Sequence, residues 1–107
     1  MRTINPKELN EKMKANNELY ILDVRANEKY EKDHIHDENI QSINIVKTLI
    51  LGETNNEAIS ALPKNQEIIV TCTTGNSAGK CAAVLAEKGY NVTVLEGGIT
   101  AWKEHLE

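Results

Sequence analysis

Three short, nearly unbroken apolar runs punctuate this chain: Leu19-Tyr20-Ile21-Leu22, Glu67-Ile68-Ile69-Val70-Thr71 and Val92-Thr93-Val94-Leu95. Runs of this length without polar alternation suit strands covered on both faces. Ser42-Ile43-Asn44-Ile45-Val46 is a weaker candidate of the same kind. The period changes between Gly75 and Gly89, where Ala78, Cys81, Ala82 and Leu85 recur at helical spacing and Gly89 suits the left-handed residue after a helix end. Another helix is predicted from Asn5-Pro6-Lys7-Glu8, with Asn5 as N-cap, Pro6 in the first turn, Glu8 closing a capping box, and Ile4 and Leu9 as a hydrophobic staple. It should fade near Ala15-Asn16-Asn17. Residues 47–64 carry no clear period and are expected to form a loop with a short helix around Asn56 to Ala61.

Strands alternating with helices predict an α/β fold with a mostly parallel central sheet of about four or five strands and helices on both faces. Ligand sites in such folds lie beyond the carboxyl ends of the strands. Asp23-Val24-Arg25, Cys72-Thr73-Thr74-Gly75 and Glu96-Gly97-Gly98 each follow an apolar run, so all three are expected on one edge of the sheet.

A length of 107 residues fits one domain, expected over 1–107. A hydrophobic fraction of 40% and a charged fraction of 26% are those of an ordinary globular chain, and no apolar run reaches membrane-spanning length. The formal charge of −4, with no basic cluster, argues against nucleic acid as a partner. Met1 to Pro6 lacks the apolar core of a signal peptide, so a cytoplasmic location is expected. Two cysteines, Cys72 and Cys81, are too few for a disulfide framework and should be free thiols in a reducing compartment. Leu106-Glu107 carries no assigned role.

Cys72 carries the candidate chemistry. It ends an apolar strand and precedes a tight loop, Thr73-Thr74-Gly75-Asn76-Ser77, before a helix, so it is expected to be exposed there with its sulfur facing unpaired backbone N–H groups. Those groups and the helix dipole favour an anion and hence the reactive thiolate. Local context alone equally allows Cys72 to be one more buried apolar residue. Cys81, on the apolar helix face, is expected to pack.

The segment from Thr71-Cys72-Thr73-Thr74-Gly75-Asn76-Ser77-Ala78 to Leu95-Glu96-Gly97-Gly98-Ile99-Thr100-Ala101-Trp102 resembles the active-site half of rhodanese domains. Leu22-Asp23-Val24-Arg25, Glu28, Tyr30 and His34-Ile35 resemble the first half of that family. The resemblance implies a sulfurtransferase in which the Cys72 thiolate takes sulfane sulfur from a donor, thiosulfate or a low-molecular-weight persulfide. A thiol acceptor or acceptor protein would then receive it, with Thr73, Thr74, Gly75, Asn76 and Ser77 as the substrate-binding loop and no cofactor. Many active members carry arginine directly after the cysteine and again five positions after it; Thr73 and Ser77 stand there. A charge-assisted hydrogen bond contributes about 1.5–3 kcal/mol, so lacking two costs roughly a hundredfold or more in handling a dianionic donor. Two readings therefore stay open: a persulfide carrier with a shifted donor, and a catalytically weak rhodanese fold used as a binding or regulatory module.

Rival motifs fail on spacing. Gly75-Asn76-Ser77-Ala78-Gly79-Lys80-Cys81 has one residue too few between its glycines for a P-loop, and Cys81 where a magnesium-binding hydroxyl belongs. A cysteine phosphatase would need arginine where Ala78 stands. Asp33-His34-Ile35-His36-Asp37 is rich in ligand types, but alternate side chains diverge and no distant second pair completes a metal site. His34 is expected to bond backbone, and Trp102 to seal the last helix against the core. Asp23 and Arg25 could support the site, but the structural role of pairing with neighbours such as Glu28 is favoured for them.

Overall fold

The computed structural model describes residues 1–15, 18–52 and 57–106. Asn16, Asn17, Asn56 and Glu107, which figure in the expectations above, lie outside them. The elements run β1 (Arg2–Ile4), α1 (Pro6–Lys14), β2 (Leu19–Asp23), α2 (Asn27–Lys32), β3 (Ile40–Asn44), α3 (Lys47–Leu51), α4 (Glu57–Ser60), β4 (Ile68–Thr71), α5 (Asn76–Glu87), β5 (Val92–Leu95) and α6 (Gly98–Leu106). All strand pairs are parallel, in the order β1-β5-β4-β2-β3.

The apolar runs are strands because both of their faces are covered. Leu22, Ile68, Val70, Val92 and Val94 pack on one side with Ile50 of α3, Ile59 of α4 and Ala78, Cys81, Ala82 and Leu85 of α5. On the other side Ile21, Ile69, Leu95 and Ile4 pack with Leu9 of α1 and Ile99 and Trp102 of α6. The alternation along β2, with Ile21 on one face and Leu22 on the other, is the two-residue period of a strand buried in the middle of a sheet.

Caps set the helix limits. Glu8 N–H donates to Asn5 Oδ1 at 2.8 Å while Asn5 N–H donates to Glu8 Oε1 at 3.1 Å, the reciprocal box expected from the sequence. At the end of α5, Gly89 has φ +92° and Tyr90 N–H donates to Leu85 O, so the chain turns back through a left-handed glycine.

Three local expectations are corrected. β1 is a strand although the sequence signalled only the helix after it. β3 begins at Ile40 and ends at Asn44, two residues earlier than the Ser42–Val46 run. Lys47–Leu51 is helical rather than loop, holding Ile50 against the core.

Candidate active site

The strand order reverses between β2 and β4. β2 leads to β3 on one side, whereas β4 leads to β5 on the other, so the connections diverge and leave a crevice at the carboxyl ends. Cys72 lies there, immediately after β4. The crevice is a cleft of about 260 Å³ with Cys72, Thr73, Thr74 and Ser77 on the loop side. Val24, Arg25, Ala26 and Lys29 from the end of β2 and α2, and Val46 and Lys47 before and at the start of α3, complete it.

Cys72 is only 5% exposed, which corrects the expectation of an exposed cysteine. The reason is its bonding: Sγ accepts from Gly75 N–H at 3.0 Å and from Ala78 N–H at 3.3 Å. Gly75, with φ +100°, precedes α5 and offers no side-chain cap, so the cysteine sulfur meets the otherwise free N–H of Ala78 in the first turn. Both donors favour negative charge on sulfur. The cleft gives access to the sulfur.

A second loop holds the first from behind. Gly97 and Gly98 have φ of +72° and +61°, and they open α6 so that Ile99 N–H donates to Cys72 O at 2.9 Å and Thr100 N–H to Thr73 O at 3.0 Å. A Cβ on Gly98 would overlap both carbonyls. Of the three polar strand endings expected on one edge, two line the cleft, while Glu96-Gly97-Gly98 supports the Cys72 backbone. The Glu96 carboxylate is turned away to accept from Thr3 Oγ1 at 2.7 Å.

Asp23 and Arg25 pair with each other and not with Glu28, which is exposed. Arg25 Nη2 donates to Asp23 Oδ2 at 2.7 Å and to Asp33 O at 2.7 Å, and both side chains are nearly inaccessible. This fork ties the end of β2 to the segment after α2. Asn44 Nδ2 donates to both Asp23 O and Arg25 O at 2.9 Å, fixing the same turn from β3. Arg25 therefore borders the cleft with its charge neutralised, and Asp23 does not border it. Asn76, the first residue of α5, also stands outside the cleft lining.

Cys81 is fully buried and its thiol is pushed up to about 11, by burial first and by the nearby Cys72, with Lys47 offsetting a little. It packs, as the helical pattern implied. His34 Nδ1 donates to Tyr30 O at 2.8 Å, and its ring stacks on Tyr30 at 4.0 Å. Among the described residues no group of three or more His, Cys, Asp or Glu is placed to hold a metal. A larger hollow of about 310 Å³ lies between α1, α6 and the segment around His34, but it is lined by no cysteine, and its Asp33 pairs with Lys103 at 2.8 Å. The smaller cleft is the one that holds a cysteine sulfur.

Lys29 and Lys47 are the charged cleft residues that the sequence did not single out. Lys47 was readable in principle: it follows β3 closely and so belongs to the carboxyl edge of the sheet. Lys29 reaches the cleft from the first turn of α2, which no local pattern announces.

Comparison with known proteins agrees with this fold. The chain is 30% identical over 106 residues to MoeZ of Mycobacterium tuberculosis, named as an adenylyltransferase/sulfurtransferase; the match covers 98% of this chain and 25% of MoeZ, so the chain spans about a quarter of that relative. It is 29% identical over 103 residues to YtwF of Bacillus subtilis, named as a sulfurtransferase, covering 96% of this chain and 91% of YtwF. The crystal structure of a rhodanese-related protein from Thermoplasma volcanium superposes with a TM-score of 0.78 at 31% identity, over 98% of this chain and 93% of that one. The sequence profile described as the rhodanese-like domain matches residues 5–105, spanning both the Asp23-Val24-Arg25 turn and the Cys72 loop, and the chain belongs to that family.

Proposed function

We propose that this protein is a sulfurtransferase that carries sulfane sulfur as a persulfide on Cys72, with residues 1–107 acting as one domain. The observation that carries the reading is the cysteine sulfur held between the N–H groups of Gly75 and Ala78 at the base of an open cleft. The Cys72 thiolate attacks the outer sulfur of a donor, the donor S–S bond breaks, and the electron pair leaves with sulfite or a thiolate. The outer sulfur of the Cys72 persulfide is then attacked by a thiol acceptor, which regenerates the thiolate. Loop amides stabilise the charge on sulfur before the attack and after transfer. Thr73, Thr74 and Ser77 present their side of the cleft to the donor, Gly75 supplies an N–H, and Asn76 starts the helix.

Asp23 and Arg25 act as supports, because their mutual pairing leaves neither free for substrate. A cytoplasmic setting would keep both thiols reduced; no helix among the described residues is long and apolar enough to cross a membrane.

A transfer assay from donor to thiol acceptor tests the reading. The parent and Cys81→Ser should transfer sulfur, and Cys72→Ser should not, since a serine hydroxyl is scarcely ionised at neutral pH. Transfer that persists in Cys72→Ser would assign the sulfur to another residue. The absence of arginine at Thr73 and Ser77 favours a second reading, a binding or regulatory module on the same fold; folded parent protein that transfers no sulfur from any donor would select it.

A further inference from the structure

The cleft in front of Cys72 is cationic on a chain whose formal charge is −4. Lys29, Lys47 and Arg25 line it and no carboxylate does. Arg25 is neutralised by Asp23, whereas Lys29 and Lys47 make no ion pair among the described residues. Both lysines come from elements other than the Cys72 loop, Lys29 from α2 and Lys47 from α3. Lys47 follows β3, which lies two strands from β4 in the sheet, about 10 Å at ordinary strand spacing. Its backbone is fixed by a 3.0 Å bond from its N–H to Val24 O. The same cleft is lined by the apolar Val24 and Val46, and on the loop side by Thr73 and Ser77, neither of which carries a charge.

We infer that Lys29 and Lys47 are the donor-selecting residues of this site, and that the donor is an organic persulfide with an acidic tail. The inference rests on the sulfurtransferase reading above. In thiosulfate the charged sulfonate is bonded directly to the transferable sulfur, so its charge sits beside Sγ, next to a loop whose own side chains at Thr73 and Ser77 are uncharged. In an organic persulfide, R–S–SH, a carbon body separates the reacting sulfur from a carboxylate. That body fits against Val24 and Val46 while the carboxylate reaches the lysines. The Cys72 thiolate attacks the outer sulfur, the S–S bond of the donor breaks, R–S⁻ departs with the electron pair and takes up a proton from water, and Cys72–S–SH remains. The two lysines touch only the tail and stay out of this bond change.

The test compares three donors on the full chain: glutathione persulfide, whose tail is acidic, the persulfide of 2-mercaptoethanol, whose tail is uncharged, and thiosulfate. Sulfur loading of Cys72 is followed by mass spectrometry as donor concentration is varied, for the parent and for Lys29→Gln with Lys47→Gln. The double variant should raise the half-saturating concentration of glutathione persulfide about tenfold, with its limiting rate held, and should leave the uncharged persulfide within about twofold. Added salt should reproduce part of the loss in the parent. Lys32→Gln, which removes the same charge from α2 outside the cleft, should match the parent. Equal losses with all three donors would mean that the lysines act on the Cys72 thiolate rather than on the donor, and would overturn the inference. So would an unchanged response to glutathione persulfide. A parent that gains sulfur from no donor overturns the sulfurtransferase reading itself, an outcome distinct from the other two. An unchanged iodoacetamide rate at Cys72 in the double variant confirms that its loop is intact.

Discussion

Cys72 and Cys81 are both buried, yet their surroundings differ in kind. Cys72 meets two N–H donors and a cleft; Cys81 meets apolar side chains, and its thiol is held near 11. At pH 8 a thiol of that value is ionised in roughly one molecule in a thousand. Iodoacetamide should therefore modify Cys72 in the folded protein well over tenfold faster than Cys81, as peptide mapping over a time course would record. Comparable rates would mean that the cleft does not give access to Sγ. The position of Cys72 was legible in the sequence, because an apolar run followed by a short loop with a glycine and then a helix places a residue at a strand end beside free amides. Its burial was not, since that depends on how closely Gly75 and Ala78 approach the sulfur.

Among the elements, the start of α6 does the most for the site. Its first free N–H groups are directed at the carbonyls of Cys72 and Thr73 instead of at a ligand or water. Gly98→Ala should cost about 2 kcal/mol or more, because φ of +61° is unfavourable for alanine and the new Cβ would displace the Cys72 loop. Denaturant unfolding measures the loss, and a drop in Cys72 alkylation rate would show that the displacement reaches the sulfur. The last helix was legible from the Gly-Gly-x-x-Ala-Trp pattern, and Trp102 does sit in the core. β1 was not, because only Ile4 of its three residues is buried and no run of three with one apolar member signals a strand. α3 was hidden likewise: a five-residue helix with one buried side chain has no period to detect. β3 was misplaced because it is an edge strand with no fully buried residue, so its Ile43-Asn44-Ile45-Val46 run reflects the connection as much as the strand. The lysines opposite Cys72 escaped for a reason of topology. Which loops adjoin depends on the order β4-β2-β3, and strand order is not written in any local pattern.

At the scale of the molecule, Glu67 ties helix α1 to the sheet. It accepts from Thr93 Oγ1 at 2.6 Å and from Lys12 Nζ at 3.2 Å. Burial alone would raise its carboxyl, but the bonds from Thr93 and Lys12 and the charges of Lys12 and Arg2 outweigh burial and hold it below the ordinary 4.5. A carboxyl lowered on folding contributes stability above its unfolded value, and that contribution is lost as pH falls through the folded one. Glu67→Gln should therefore destabilise the protein by about 1 kcal/mol at pH 7, with the difference from the parent shrinking below pH 4.5. Urea midpoints across that range would record it, and a difference independent of pH would remove the charge from the explanation.

The whole arrangement converges on one sulfur atom, and intact-mass spectrometry tests that most directly. Reduced protein is incubated with glutathione persulfide and, separately, with thiosulfate, then weighed before and after cyanide or a thiol and mapped by peptide. The account predicts a gain of one sulfur atom on Cys72, released by either treatment, with glutathione persulfide loading at lower concentration than thiosulfate. No added sulfur with either donor on folded protein, or sulfur found on Cys81 instead, would contradict it.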